Sequence, residues 1–172
     1  FHPAWLALMT LSLKAGLASS PWCGPKPGAT AQRAAGCYML GQTESGVLCP
    51  LAMTYGSVPT LRQNRAVAKE WLPRIFSHYY DPHFRPAREK TSALVGMGMT
   101  ENQGGSDLRT NVTRAVPADG GFRLYGHKWF MSAPMCDAFL ILANAPKGLS
   151  CFLMPRWTPD GERNAVNINR LK

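Results

Sequence analysis

Hydrophobic residues change their spacing part-way along this chain. Up to about residue 90 they recur at helical intervals, and beyond Thr91 they come in short runs separated by turn residues. Trp5, Leu6, Leu8, Met9, Leu11 and Leu13 predict a buried helix. The Pro/Gly/Ser stretch from Ser19 to Gly28 predicts a loop, because proline and glycine interrupt helical hydrogen bonding. Thr30 to Glu44 follows as a helix with Thr30 as its N-cap. Its packing face is drawn by Ala31, Ala34, Ala35, Tyr38, Met39 and Gln42, whose small residues suit close helix approach. Pro50 and Pro59 mark helix starts or kinks. Leu61 to Leu72 reads as one amphipathic helix with Arg62, Arg65 and Lys69 on one side, disrupted by Pro73.

The second half has the grammar of strands. Ala93 to Met97 is one candidate. Thr113 to Val116 and Phe122 to Tyr125 flank Pro117-Ala118-Asp119-Gly120-Gly121, a turn of hairpin composition. Phe139 to Ala143 and Ser150 to Met154 form a second pair around Asn144 to Gly148, and Ala165 to Ile168 is a final candidate. The expected fold class is α+β, with a helical part over residues 1–90 and an antiparallel β part over 91–172. No internal repeat is visible.

Composition narrows this picture without naming a function. A hydrophobic content of 45% over 172 residues supports a packed core and excludes wholesale disorder. The chain opens on Phe1 and closes on Asn169-Arg170-Leu171-Lys172, which reads as a piece of a longer protein. A net charge of +9 suits either a solvated basic face or attraction to polyanions; its dispersal, with only a loose group from Arg62 to Lys90, favours the former. Cys23, Cys37, Cys49, Cys136 and Cys151 contain no CxxC, and apolar neighbours suggest buried free thiols and a reducing cytoplasm. No apolar run reaches the length of a membrane span, and Trp5 to Leu17 lacks the cleavage pattern of a signal peptide.

The residues with chemical potential lie in two segments. In the first, an apolar run opens into Met97-Gly98-Met99-Thr100-Glu101-Asn102-Gln103-Gly104-Gly105-Ser106-Asp107. The second is Gly126-His127-Lys128-Trp129-Phe130-Met131-Ser132. A flat, polar-rimmed ring such as an isoalloxazine needs donors at its pyrimidine edge, a donor near N5 and an apolar or aromatic face. Thr100, Ser132 and the pair Trp129-Phe130 could meet these needs, and Gly104-Gly105-Ser106 would let backbone approach a pyrophosphate. A glycine-bearing loop with a turn-capping serine fits the same letters. Glu101 reads as ordering its own loop rather than as a base. His127 and Lys128 read as surface residues, and His78 and His83 lack a third metal ligand.

These two segments resemble the flavin-binding signatures of the acyl-CoA dehydrogenase family, Thr-Glu-Pro-Gly-x-Gly-Ser-Asp and Gly-x-Lys-x-Trp-Ile-Thr. The spelling here is similar to the alkylation-response branch of that family. Phe1-His2-Pro3-Ala4-Trp5, Leu48-Cys49-Pro50, Met53-Thr54, Leu149-Ser150-Cys151-Phe152 and Asp160-Gly161-Glu162-Arg163-Asn164-Ala165 share that likeness. The resemblance implies a helical N-terminal domain, a β-barrel-like middle domain and a C-terminal helical bundle absent from this chain. It implies FAD as cofactor, wrapped by Met97, Gly98, Met99, Thr100, Gly104, Gly105 and Ser106, with Phe130, Met131, Ser132 and Ala133 approaching the flavin. The implied reaction is dehydrogenation between Cα and Cβ of an acyl-CoA, with a base in the missing bundle and no catalytic residue here. Three departures from the pattern stand out: Asn102-Gln103 for Pro-Gly, Phe130 for Trp and Ser132 for Thr. The branch also implies a homotetramer, and double-stranded DNA as a partner through absent regions. A pure oligomerisation scaffold is the remaining reading of the helical half.

Overall fold

The computed structural model describes residues 2–170. Phe1, Leu171 and Lys172 lie outside the described residues, and with them the readings placed on the two chain ends. Helix α1 (Pro3–Lys14) starts on a proline whose missing N–H is unneeded in the first turn, and the His2 ring accepts the Ala4 N–H at 3.1 Å. Within the expected Ser19–Gly28 loop a single turn, α2 (Ser20–Cys23), forms around Pro21. Helix α3 (Ala29–Thr43) is capped by Gly28 in the left-handed region, not by Thr30, which lies inside the helix.

The face expected to pack on α3 is the one that faces solvent. Tyr38 and Met39 are 72% and 70% exposed, while Leu40 is buried. The close approach is made by glycine rather than alanine. A Cβ on Gly36 would stand 2.7 Å from Leu17, and one on Gly41 would stand 3.1 Å from Leu48.

The expected Leu61–Leu72 helix is broken. Helix α4 (Leu48–Leu61) ends, and α5 (Arg65–Ile75) restarts on Asn64, whose side chain accepts the N–H groups of Ala66 and Val67 at 3.0 and 3.2 Å. Arg62 is thereby separated from Arg65 and Lys69; it stacks on Trp22. Pro73 does not end α5, because it falls in the last turn, between the buried anchors Trp71 and Ile75.

Five strands form one sheet: β1 (Val95–Gly98), β2 (Arg114–Ala118), β3 (Gly121–Tyr125), β4 (Ala138–Ala145) and β5 (Gly148–Pro155). Strand β4 pairs antiparallel with β5 along its whole length. Its other edge pairs parallel with β1, Val95 opposite Ala138, and at its far end with β2, Arg114 opposite Asn144. Strands β2 and β3 form an antiparallel hairpin turning on Asp119-Gly120, with Gly120 at φ 77°. The sheet is thus mixed and open, where a wholly antiparallel, barrel-like one was expected. The parallel pairing of β1 with β4 requires a crossover, and residues 99–137 supply it. The first candidate segment begins in β1 at Met97 and Gly98 and runs on into that crossover, and the second lies wholly within it. Residues 165–168 form no strand. Asn164 instead donates to the carbonyls of Pro155 and Arg156 and folds the chain back onto the end of β5.

Strand β4 is buried on both faces, which explains its unbroken apolar run. Phe139 and Ile141 pack with Met9, Leu13, Leu17, Leu40 and Leu51. Ala138 and Leu140 pack with Val58, Leu61, Trp71 and Ile75 on the other side. Of the cysteines only Cys136 is buried; Cys23, Cys49 and Cys151 are exposed, the last on the outer side of an edge strand. Among the described residues no helix is long and apolar enough to cross a membrane.

An ion pair pins the junction between the helices and the sheet. The Lys90 ammonium lies 2.7 Å from Asp137 Oδ1, and the Leu94 N–H donates to Asp137 Oδ2 at 2.9 Å. Both side chains are almost wholly buried, so removing one partner strands the other. Lys90→Met is expected to lower unfolding free energy by roughly 3–5 kcal/mol in urea denaturation. Neutralising the acid as well, in Lys90→Met/Asp137→Asn, is expected to recover more than half of that loss.

Candidate functional site

The two segments run side by side. The Ser132 N–H donates to Met97 O at 3.1 Å and the Trp129 N–H to Thr100 O at 2.9 Å, an antiparallel pairing along the free edge of β1. Gly98 is where they press closest: a side chain there would collide with Met131 and approach Ile141 to 2.9 Å. A Cβ at Gly96 would lie 2.7 Å from Ser132 O. These glycines seat the second segment against the first.

Beyond Thr100 the chain makes a tight hairpin. Glu101 N–H donates to Gly104 O at 2.9 Å and Gly104 N–H returns to Glu101 O at 3.1 Å, with Asn102-Gln103 at the tip. The departure from Pro-Gly at these positions is therefore absorbed in a two-residue turn. Gly104 is buried, and a side chain there would collide with Thr110; a Cβ on Gly105 would stand 3.0 Å from the Thr100 methyl. Ser106 is exposed. Asp107 accepts the Arg109 N–H at 3.0 Å and pairs with its guanidinium at 2.8 Å.

Glu101 is the hub of this region, with only 2% of its surface exposed. Its carboxylate accepts from Gln103 at 2.7 Å, Val112 N–H at 2.7 Å, Thr113 N–H at 3.1 Å, the Thr113 hydroxyl, and Lys128 at 2.6 Å. Lys128, expected at the surface, is buried, because its stem passes beside Gly98 to reach Glu101. His127 is exposed. Burial by itself would raise the Glu101 pKa. The Lys128 ammonium, the Thr113 hydroxyl, the Val112 N–H and the Gln103 amide outweigh burial and lower it to about 2.

Of the expected site residues, Met97, Met99, Thr100, Met131 and Ser132 are half-buried, Gly98, Gly104 and Ala133 are buried, and Gly105, Ser106 and Phe130 are exposed. The hydroxyls of Thr100, Ser106 and Ser132 make no hydrogen bond among the described residues. Trp129 and Phe130 expose 55% and 41% of their surfaces. Ala133 adopts φ 53°, a left-handed conformation that costs a non-glycine residue roughly 1–2 kcal/mol. Sequence reading placed Ala133 beside the site but gave no sign of this strain, since alanine carries no preference for that region. A cleft of about 580 Å³ opens on one side, lined by Leu124, Trp129, Phe130, Met131 and the returning segment Ala165–Arg170. It shares Phe130 and Met131 with the expected site but not Thr100 or Ser132. His83 is taken up by Asp81, at 2.7 Å, and no metal-ligand cluster occurs among the described residues.

Residues 96–170 match the family described as "Acyl-CoA dehydrogenase, middle domain", and residues 1–82 match "Adaptive response protein AidB N-terminal domain". The chain belongs to the acyl-CoA dehydrogenase family. Within it, the chain is 46% identical over 175 residues to AidB of Escherichia coli (strain K12), covering all of this chain and 32% of that protein. Its fold matches Caenorhabditis elegans ACDH-11, solved in complex with C11-CoA, with a TM-score of 0.83 at 28% identity, over 99% of this chain and 30% of that one. An acyl-CoA dehydrogenase from Bacillus anthracis complexed with FAD shares the fold at a TM-score of 0.62 and 21% identity, over 88% of this chain and 25% of that one. The chain thus spans a third or less of the length of these relatives.

The depressed Glu101 pKa carries a signed consequence. The stability this group contributes is present in full above its ordinary value of 4.5 and is lost as pH falls through that value towards 2. Between pH 7 and pH 2.5, urea unfolding should show a decline of which roughly 3 kcal/mol traces to this one group. Glu101→Gln should be less stable at pH 7 and should lose that part of the slope.

Proposed function

We propose that this chain supplies the FAD-holding part of a flavoprotein that dehydrogenates acyl thioesters between Cα and Cβ. The observation that carries the reading is the antiparallel pairing of the two candidate segments, which sets Ser132 opposite Met97 and Trp129 opposite Thr100, with Thr100 and Ser132 hydroxyls that make no hydrogen bond among the described residues and with two exposed aromatic rings, Trp129 and Phe130, on the second segment. The donor set fits the cofactor: hydroxyls for a polar rim, aromatic faces for a flat ring, and the Gly104-Gly105-Ser106 backbone for a pyrophosphate. The relatives support it, since ACDH-11 was solved with C11-CoA and the Bacillus anthracis enzyme with FAD.

Bound FAD would supply the hydride-accepting chemistry. The chain's own part is to hold and orient. Thr100 would offer its hydroxyl to the polar rim, Ser132 would serve the reducible nitrogen, and Trp129 or Phe130 would cover a face. Met97 and Met99 pack into the cluster of Val58 and Leu140, Met131 and Ala133 into that of Phe139, and Gly98 leaves room for Met131 between the segments. Glu101 is unsuited to removing a substrate proton, because every nearby donor already holds it as a carboxylate of low basicity. Proton abstraction from an acyl-CoA would therefore fall to a residue outside the described ones. The same reading extends to a homotetrameric full-length protein in a reducing cytoplasm, which the free thiols support. Contact with double-stranded DNA rests on the net charge of +9 and on the likeness to AidB.

Titrating the chain with FAD should shift and sharpen the flavin absorption bands. Thr100→Val/Ser132→Ala should weaken binding at least tenfold with an unchanged far-UV circular dichroism spectrum. An unshifted flavin spectrum for the native chain would overturn the reading. A parallel titration of duplex DNA at rising salt tests the DNA contact, for which a steep loss of affinity is expected.

A further inference from the structure

Ala133 is the one non-glycine residue with a positive φ among the described residues, and it follows Ser132 directly. A strained backbone of this kind persists only where its surroundings hold it. Part of the hold is local: the Cys136 N–H donates to Ala133 O at 2.9 Å and closes the turn. The rest comes from one side chain distant in sequence. Arg156, just past the end of β5, donates through Nε to Cys136 O at 2.9 Å and through Nη2 to Pro134 O. Its own N–H is anchored on Asp137 O at 2.9 Å. The guanidinium lies 5.2 Å from the centroid of the fully buried Phe139 and 4.9 Å from that of Phe84. Among the described residues it makes no ion pair, so its fork is spent on two backbone carbonyls of this single turn. The planar guanidinium meets both from two nitrogens in one fixed geometry, which a compact lysine ammonium does not reproduce.

We infer that Arg156 is a positioning residue: by clamping the Pro134 and Cys136 carbonyls it holds Ala133 in its left-handed conformation and thereby sets the direction in which Ser132 presents its hydroxyl to the cofactor. The inference rests on the FAD reading above. It differs from a plain bracing role in acting through one atom, the Ser132 hydroxyl.

The test uses the full chain saturated with FAD and reads two quantities, the flavin absorption spectrum with its reduction potential, and the dissociation constant. Arg156→Met should weaken FAD binding about tenfold and move the bound flavin spectrum and potential towards those of free FAD. Arg156→Lys, which keeps the cation and tests the role should the first variant fold poorly, should give an intermediate change with a native circular dichroism spectrum. In a Ser132→Ala background the Arg156 substitutions should leave spectrum and potential where Ser132→Ala alone puts them. Ala133→Gly, which adopts the same φ without strain, should restore most of the affinity lost in Arg156→Met. If the Arg156 variants melt earlier yet hold FAD with a native spectrum and potential, or shift them equally without Ser132, the inference is overturned and the FAD reading stands. If the native chain leaves the flavin spectrum unmoved, both fall together.

Discussion

A buried carboxylate and a buried ammonium hold the two halves of the candidate site together. Glu101 belongs to the first segment and Lys128 to the second, and their contact crosses the space between them. Taking two charges out of water is costly, and an apolar pair of the same volume would often be the more stable choice. What an apolar pair could not do is receive the N–H and hydroxyl of the buried Thr113, which would then be left without their acceptor. The pair therefore works as a register device. It fixes which residue of one segment lies against which residue of the other, and so where Thr100 and Ser132 come to rest.

The sheet makes that register possible. Strand β1 pairs with β4 in parallel, so the connection between them must travel round. The crossover is long enough to carry the Glu101 hairpin, the β2–β3 hairpin and the Lys128 segment before it rejoins the core at Cys136. Gly96 and Gly98 are then packing glycines: they remove the side chains that would keep the returning Ser132 and Met131 away from β1. A glycine in a cofactor motif is commonly explained by the ligand. Here the neighbour that demands it is the protein itself.

Much of this was legible in the chain and some was not, for identifiable reasons. Turn chemistry at Asp119-Gly120 marks the β2–β3 hairpin, and the apolar run of β4 marks a strand, because both signals are local. The α3 face was misjudged because an Ala-rich helix shows three-to-four spacing on more than one side; only Leu17 and Leu48, distant in sequence, decide which side needs a glycine. The break at Asn64 carries a capping residue that the continuing amphipathic pattern masks. Lys128 reads as surface because nothing in its neighbours announces a buried carboxylate 27 positions earlier. Parallel pairing, the strain at Ala133 and the reach of Arg156 are properties of tertiary contact and leave no local trace. The candidate site itself was visible as two motifs; that they are neighbours follows from the fold.

Charge bears on the two ligand readings differently. The pairs Lys128–Glu101 and Lys90–Asp137 are internally neutral, so they add nothing to the net charge of +9. Some of the other cations are already engaged: Arg33 lies 3.8 Å over Tyr55 and Arg62 lies 5.4 Å over Trp22. A dispersed positive surface raises affinity for any polyanion and does so less as salt rises. It cannot by itself tell one polyanion from another. Discrimination needs groups whose positions are fixed and whose hydrogen bonds are not already spent. In this chain the half-buried hydroxyls of Thr100 and Ser132 are of that kind, held on a backbone ladder that an interior ion pair keeps in register. Selectivity is therefore better served by a ligand with a flat, polar rim than by a phosphate backbone, and the surface charge adds attraction to whichever phosphates that ligand carries.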